Sequence, residues 1–486
     1  MSAIQLAALG KTDDVKPFGF DRFLAPSLRD ISVLEKQGLY VEAKRHNVKG
    51  TIYCVCADNL GAHGLAGFQE SFSVANFCRF CLISRETLLE DPCDFPLRTP
   101  EQHDLLVRRL PGNNAICGVK GECALSKHLS YFHPITGFPP DILHDLFEGI
   151  VPVELTLCLK ELIRKKFISF DDVNHSIMSF PYKYYDKDNR PHKIPKSSFL
   201  RGTAWGNGHE NWSLLRLLPL MIGDCVPENE PAWEILMDLK DITEIVVSTK
   251  FSESSLNYLE TKIADHRSLL LGTFSELRLR PKHHYLEHYA HLIRCFGPLV
   301  DLWTMRFEAK HSFFKKVVHD TKNFKNVLVT LASKHQLMVA YHLDSHLFSH
   351  RIHVESVNVV QAASLDASWK RALERRFSQL ESVSLSSDVQ VDGIRYREGM
   401  VISAGQCGGL PEFYRIHRIL VAEDLGFLCI KLPSWYIEHL RSYELDETSY
   451  AETDILTFDD LNDFYPLIAY SVRGKLLVSP KKFLLH

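Results

Sequence analysis

The sequence predicts a mixed chain, α/β at its start, helical through its middle and all-β at its end, and three observations carry this. Thr51-Ile-Tyr-Cys-Val-Cys-Ala57 is an unbroken apolar, β-rich run, the pattern of a central strand buried on both faces. Apolar residues between about 139 and 350 recur at helical spacing. From Val389 onward they change to short runs separated by turns.

Taken in order, Ile4 to Leu9 is a short apolar run that reads as a strand. Phe20 to Gln37 reads as a helix with Phe23, Leu24, Leu28, Ile31 and Leu34 on one stripe, stopped by Gly38. The run to Ala57 ends at Asp58-Asn-Leu-Gly61, a turn signal. An acid at the C-terminal end of a buried strand is where open α/β sheets place chemistry. Residues 76–138 are loop-like and rich in Cys and His. Helices are expected after Pro140 toward Phe167, over Pro231 to Val247, from near Ser252, and over Leu302 to Val318. Residues 351–387 read as a linker. After it, runs such as Val389 to Val391, Phe413 to Ile419, Phe427 to Leu432 and Leu476 to Val478 suggest a small β-barrel-like domain over 388–486. The expected division is therefore 1–75, 76–138, 139–280, 281–350, 351–387 and 388–486.

Composition narrows the function classes. With 45% hydrophobic and 24% charged residues, the 486-residue chain is too apolar to be disordered. Lys plus Arg (56) against Asp plus Glu (60) gives a net charge of −4, which excludes a histone-like coat but permits a local basic groove. No run approaches the roughly 18 apolar residues of a membrane span, and the first residues lack the pattern of a signal peptide. Twelve Cys are too sparse for a disulfide scaffold, so an intracellular, cytosolic or nuclear setting with reduced thiols is expected.

Four motifs carry chemistry. Cys78-Arg-Phe-Cys81 is a C-x-x-C knuckle that offers two thiolates to tetrahedral zinc. His103 and His144 are the preferred further ligands, with Cys93, Cys117 and Cys123 as rivals; the alternative is two buried small hydrophobes. Pro139-Pro-Asp141-Ile-Leu-His144-Asp145-Leu-Phe-Glu148-Gly149 starts a helix at Pro140 and sets Asp141, His144, Asp145 and Glu148 at i, i+3, i+4 and i+7, either a functional polar stripe or an ordinary solvated face. Arg306-Phe-Glu308-Ala-Lys310-His311 continues to Lys315 and Lys316. A carboxylate among cations suits a magnesium ligand beside a phosphate backbone, or equally a run of surface ion pairs. In Lys282-His283-His284-Tyr-Leu-Glu287-His288, the last five residues match H-x-x-E-H. That motif belongs to a class of zinc metalloproteases, with Glu287 as base, and it also arises by chance in a chain with 24 His.

Together, Asp58-Asn-Leu-Gly-Ala-His63, Cys78-x-x-Cys81, Pro-Pro-Asp141-x-x-His144-Asp145-x-x-Glu148-Gly and Met-Arg-Phe-Glu308-Ala-Lys-His resemble the transposase-like proteins of animal genomes related to the CACTA (EnSpm) DNA transposons. The resemblance spans roughly residues 1–345, and 385–486 resembles the small β module that ends many such proteins. It implies a ribonuclease-H-like core in which three acids, Asp-Asp-Glu, hold two magnesium ions for DNA cleavage and strand transfer. On this mapping Asp58 is the second acid and Glu308 the third. Asp141, His144 and Asp145 support the site, and Arg306, Lys310, His311 and Lys282 contact nucleic acid. Residues 1–75 are then a partial core, 76–138 a zinc-binding insertion, 139–280 a helical insertion and 281–350 the helices that complete the core. The run Ile4 to Leu9 corresponds to the third strand of that sheet, and the first acid has no counterpart. The resemblance thus implies an N-terminally truncated, transposon-derived nuclear protein without transposition activity. Such a protein holds magnesium weakly and leaves a sheet edge that a partner or second copy would cover. A catalytically silent DNA- or chromatin-binding module is the alternative, and a zinc protease using His284, Glu287 and His288 the more distant one.

Overall fold

A computed structural model describes residues 4–90, 95–110, 112, 114–202, 205–344, 352–377, 381–422, 425–448 and 452–485. Its helices in chain order are α1 (Thr12–Lys36), α2 (Asn59–Ala66), α3 (Pro100–Arg108), a π-helix (Leu143–Ile150), α4 (Val151–Arg164), α5 (Phe170–Ser179), α6 (Lys196–Arg201), α7 (Gly208–Ile222), α8 (Pro231–Val246), α9 (Glu253–Thr273), α10 (Pro281–Glu287), α11 (Tyr289–Phe296), α12 (Met305–Thr321), α13 (Val327–Asp344) and α14 (Ala367–Arg376). The strands begin with a hairpin of β1 (Leu39–Val41) and β2 (His46–Val48). They resume as β3 (Ile352–Val354), β4 (Asn358–Gln361), β5 (Ser382–Ser386), β6 (Asp388–Val391), β7 (Ile394–Arg397), β8 (Val401–Cys407), β9 (Leu410–Leu420), β10 (Gly426–Leu432), β11 (Ser434–Ile437), β12 (Ser442–Leu445), β13 (Thr453–Thr457), β14 (Ala469–Val472) and β15 (Lys475–Val478). No helix among the described residues is long and apolar enough to cross a membrane.

The chain divides into two compact units, one of residues 1–150 with 256–345 and one of residues 151–255 with 346–486. In the first, Leu28 and the partly buried Leu24 and Ile31 of α1 pack on Ala62 and Ala66 of α2 and on Phe68, Val119, Leu125, Leu129, Phe132 and Phe138. The predicted stripe is therefore a core-facing one. The helix itself begins earlier, at Thr12, with a kink at Gly19 (φ 76°). Gly38 (φ 76°) ends it as expected.

The two strands expected in this region are not formed. Residues 4–9 carry no strand, and 51–57 is extended without a partner strand; Val55 N donates to Gly137 O at 2.8 Å in place of a ladder. A β-run becomes a strand only where another strand offers its backbone groups. Here the side chains of Ile52, Val55 and Ala57 instead pack on the first unit's core. Tyr53, Leu39 and Tyr40 remain exposed.

In the second unit α4 packs on α8 and α5 on α7. The β region is antiparallel throughout. One sheet runs β13-β10-β9-β5-β4 with β8 also on β9, a second β11-β12-β15-β14, and a third β3-β6-β7. Tyr396, Ile416, Phe427 and Cys429 form its largest core. The predicted linker 351–387 is a correction: it supplies β3, β4, α14 and β5, and Trp369 of α14 stacks on His417 at 5.2 Å. Its Ser- and Ala-rich composition hid strands that are short and half-exposed. Nor do the helices of 151–255 and the β region separate. Buried Arg216 donates to Ser479 O (2.9 Å) and Tyr470 Oη (3.0 Å), Trp233 Nε1 to His439 O (2.9 Å) and Lys240 Nζ to Arg441 O (2.7 Å). Buried cations need such partners, and the β region supplies part of them, beside Asp186 for Arg216 and Glu244 for Lys240.

Gly67 closes α2 with φ 81°, and a Cβ there would collide with Gly121 O. Gly67→Ala should lose about 2–4 kcal/mol in urea unfolding. Gly272→Ala in α9, where a Cβ meets nothing within 4 Å, should be neutral or gain up to about 1 kcal/mol.

Candidate metal centre

The C-x-x-C knuckle folds through its own amides. Phe80 N–H donates to Cys78 Sγ at 3.3 Å and Ile83 N–H to Cys81 Sγ at 3.4 Å, which turns both sulfurs to one side. Arg98 clamps the loop from behind, donating to Cys78 O (3.0 and 3.1 Å) and Cys117 O (2.7 Å). Facing the sulfurs is α10, begun by Pro281 at its first turn. His284 and His288, one helical turn apart, present their rings on the same face.

The four ligand atoms converge. Cys81 Sγ lies 3.1 Å from His284 Nε2, Cys78 Sγ 3.6 Å from His288 Nε2, and the two Nε2 atoms are 3.0 Å apart. All lie within 4.8 Å of one another and all four residues are buried. Among the described residues this is the one group of three or more His, Cys, Asp or Glu placed to hold a metal ion in this way. Phe95 packs on both rings (4.9 and 4.7 Å), with Phe77 and Phe80 beside them, which gives the group an apolar wall.

A second layer orients the ligands. Glu287 Oε2 accepts from His284 Nδ1 at 2.7 Å, which leaves the Nε2 lone pair facing the cluster. Glu287 Oε1 in turn accepts from Arg267 at 2.6 Å, and Arg267 also reaches Leu88 O and Glu90 O. Burial opposes the charged Cys78 thiolate. The hydrogen bond from Cys81 and the neighbouring His288 and His284 outweigh it and hold Cys78 well below the usual thiol range. Burial and Cys78 push Cys81 the other way. Against burial, Cys78 and Glu287 raise His284 to about 9. Without a cation in their midst, two thiols and two imidazoles can lower their charging cost in this pocket only by such uneven sharing of protons.

The expected partners of the knuckle are corrected here. His103 lies on α3, its ring 5.4 Å from those of Phe68 and His133, and burial lowers it to about 4. His144 belongs to a different group. Cys117 serves through its carbonyl, Cys123 sits in the hydrophobic core, and Cys93 lies outside the described residues. The residues that do face the knuckle, His284 and His288, are 203 and 210 residues from the cysteines they meet. The signal that could have found them was the H-x-x-E-H match, which pointed to residues of the right type but to another chemistry.

The remaining predicted residues divide between two networks. Asp58 caps α2, accepting from Gly61 N at 2.6 Å. Its neighbour Asn59 donates to Asp145 Oδ1 at 2.5 Å and accepts from Arg79 of the knuckle at 2.6 Å. Asp145 is thus fully buried while its neighbour His144 stays partly exposed, both on the π-helix.

Asp141, also buried, accepts from Leu143 N (3.2 Å), Thr304 N (3.1 Å), Thr304 Oγ1 (2.6 Å) and His144 Nδ1 (2.5 Å). His144 Nε2 faces Glu308 Oε1 at 3.3 Å and Glu148 Oε2 at 4.0 Å. The hydrogen bond to Asp141 raises His144, and the carboxylates of Glu308 and Glu148 add to it. Asp58 and Glu308 therefore have separate partners. Lys282 donates to His144 O at 2.6 Å, Arg306 pairs with Asp301 at 3.7 Å, Lys310 lies over the Phe313 ring at 5.5 Å, and His311 is exposed.

Burial raises Asp145 to about 6, against the pull of Arg79 and Asn59. A carboxyl raised on folding contributes stability that is fully present below about pH 4 and lost as pH rises through 6. Between pH 4 and pH 7 the stability difference between the native protein and Asp145→Asn should therefore move against the native protein by up to about 3 kcal/mol, read from urea unfolding at each pH. No protein-family model matches the chain, and no curated protein matches it.

Proposed function

We propose that this is a zinc-binding protein of transposase descent in which zinc is a folding element and the ancestral phosphodiester chemistry is silent. The observation that carries the zinc reading is the closed set of Cys78, Cys81, His284 and His288. A tetrahedral ion bound at about 2.3 Å to sulfur and 2.0–2.1 Å to nitrogen needs N–N and N–S separations of about 3.3–3.6 Å. The separations of 3.0, 3.1 and 3.6 Å lie within about 0.5 Å of this. Two thiolates with two imidazoles favour zinc over harder divalent ions. Bound there, zinc supplies cross-linking of the knuckle to α10 and neutralises the thiolates.

The same closure weighs against a protease. Four protein ligands leave no position for a water molecule, and Glu287 is engaged by His284 and Arg267.

Descent from a transposase rests on the four ordered motifs. A ribonuclease-H-like core remains part of that proposal, as does magnesium held by Asp58 and Glu308. Silence is favoured by Asp58 being committed as a helix cap, by Glu308 being turned to His144, and by the unpartnered run 51–57. Retained DNA binding is favoured by α12, α13 and the turn between them, which together carry Lys310, Lys315, Lys316, Lys322, Lys325 and Lys334 without a Lys–carboxylate ion pair among the described residues, although the whole chain is net negative. A nuclear location follows from the same proposal.

The purified full chain should contain about one zinc by elemental analysis, and Cys81→Ser or His288→Ala should remove it and lower the thermal midpoint. Undiminished zinc in both variants would overturn the assignment. Duplex DNA should bind with affinity that falls steeply between 50 and 200 mM salt. Lys315→Ala/Lys316→Ala should flatten that dependence, and no Mg²⁺-dependent nicking should accompany it. Nicking that disappears in Asp58→Ala would restore the enzyme.

A further inference from the structure

The amino-terminal part of the first unit carries cations that no carboxylate neutralises. We propose that the β1–β2 hairpin is a DNA-binding ribbon that enters the major groove, with a cationic stripe of α1 following the adjacent phosphate backbone. This adds a second surface to the proposed DNA binding and uses neither α12 nor α13.

Charge comes first. Residues 22–49 hold six cations, Arg22, Arg29, Lys36, Lys44, Arg45 and Lys49, against three acids, Asp30, Glu35 and Glu42. All six cations are exposed, and none forms an ion pair with a carboxylate among the described residues. Glu35 is buried and turned inward, accepting from Thr51 Oγ1 and from Ser130 N at 3.0 Å. The surface of this segment is therefore positive, in a chain whose net charge is −4. Duplex nucleic acid is the polyanion that such an array of unpaired Arg and Lys attracts.

Placement follows from the helix. Arg22, Arg29 and Lys36 recur at i, i+7 and i+14, so they share one face of α1 over about 21 Å. Leu24, Leu28 and Ile31 occupy the face that packs on the core. The stripe ends at the root of the hairpin, where Asn47 Nδ2 donates to Gln37 O at 3.1 Å. Gly38 allows that closure: a Cβ there would stand 2.9 Å from Val48 O.

The hairpin stands clear of the core. Leu39 pairs with Val48, Tyr40 with Asn47 and Val41 with His46. Leu39 and Tyr40, on opposite faces, are 66% and 62% exposed, so neither face is covered. A bare two-stranded ribbon is marginal on its own. This one is held by its closed root and by its tip, where Arg45 adopts φ 56° and donates its N–H to Val41 O (2.9 Å) and Glu42 O (3.1 Å). Lys44, Arg45 and His46 are thereby presented together at the turn. The major groove of B-form DNA, about 12 Å wide, admits a two-stranded ribbon. The major groove of double-stranded RNA is too narrow for one, so the geometry favours DNA.

The test is fluorescence anisotropy of the purified full chain with duplex DNA at about 50–200 mM salt. Lys44→Ala/Arg45→Ala and Arg22→Ala/Arg29→Ala replace exposed side chains. Each pair should weaken binding about tenfold or more at the lower salt and reduce the log–log salt slope by about 2. Lys196→Ala/Lys250→Ala, which removes the same charge from the second unit, should change neither. The losses should add to that of Lys315→Ala/Lys316→Ala, as separate surfaces require. A duplex whose cytosines carry a bulky sugar at C5, which fills the major groove, should bind about tenfold more weakly or worse. Binding unchanged in either pair, or equal affinity for the groove-filled duplex or for duplex RNA, would overturn the ribbon and leave the α12–α13 reading standing. No binding of plain duplex DNA would overturn both.

Discussion

The first unit depends on a single constraint: two thiols and two imidazoles, separated by about two hundred residues of chain, are buried together. None of the four can hold a charge there alone at reasonable cost. The surrounding structure is arranged for that difficulty. Amides of Phe80 and Ile83 feed the sulfurs, Glu287 takes the far nitrogen of His284, and Arg267 takes the far oxygen of Glu287 while tying down Leu88 and Glu90. A shared cation would turn this from an electrostatic liability into a cross-link, and one that closes a very long loop.

The polar groups around this centre form a graded series. Arg79, inside the knuckle, reaches Asn59, and Asn59 reaches Asp145, which Tyr289 next to His288 also contacts at 3.4 Å. The knuckle, the start of α2, the π-helix and α11 are thus joined by one buried chain of hydrogen bonds. Asp141 is also buried, and His144, which it holds, is the partly exposed member of the pair. Two acids three residues apart from the same motif, Asp145 and Glu148, therefore meet opposite environments, one sealed and one wet.

Residue types were legible in the sequence to a greater degree than their pairings. The knuckle at Cys78 and Cys81, the helical stripe of α1, the helices α8, α9 and α12, and the strands β6, β9, β10 and β15 follow from local patterns, because periodicity and turn chemistry act over a few residues. Thr51 to Ala57 shows the limit. Its composition is that of a central strand, yet a strand exists only if another chain segment pairs with it. The H-x-x-E-H match shows the limit in the other direction: its histidines are ligand-like and its glutamate orients one of them, but the cysteines opposite exclude the open coordination position that a hydrolase needs.

What the sequence by itself determined was the inventory: sulfur and imidazole ligands, a Pro-initiated acidic motif, a lysine-rich helix pair and a β-rich end. Only the tertiary structure decided that Cys78 and Cys81 meet His284 and His288, that Asp145 turns inward while His144 turns out, and that residues 151–255 fold with the β region. The physical reason is that ligation, burial and ion pairing are decided by distances across the fold, and local sequence carries no record of which distant segment will arrive.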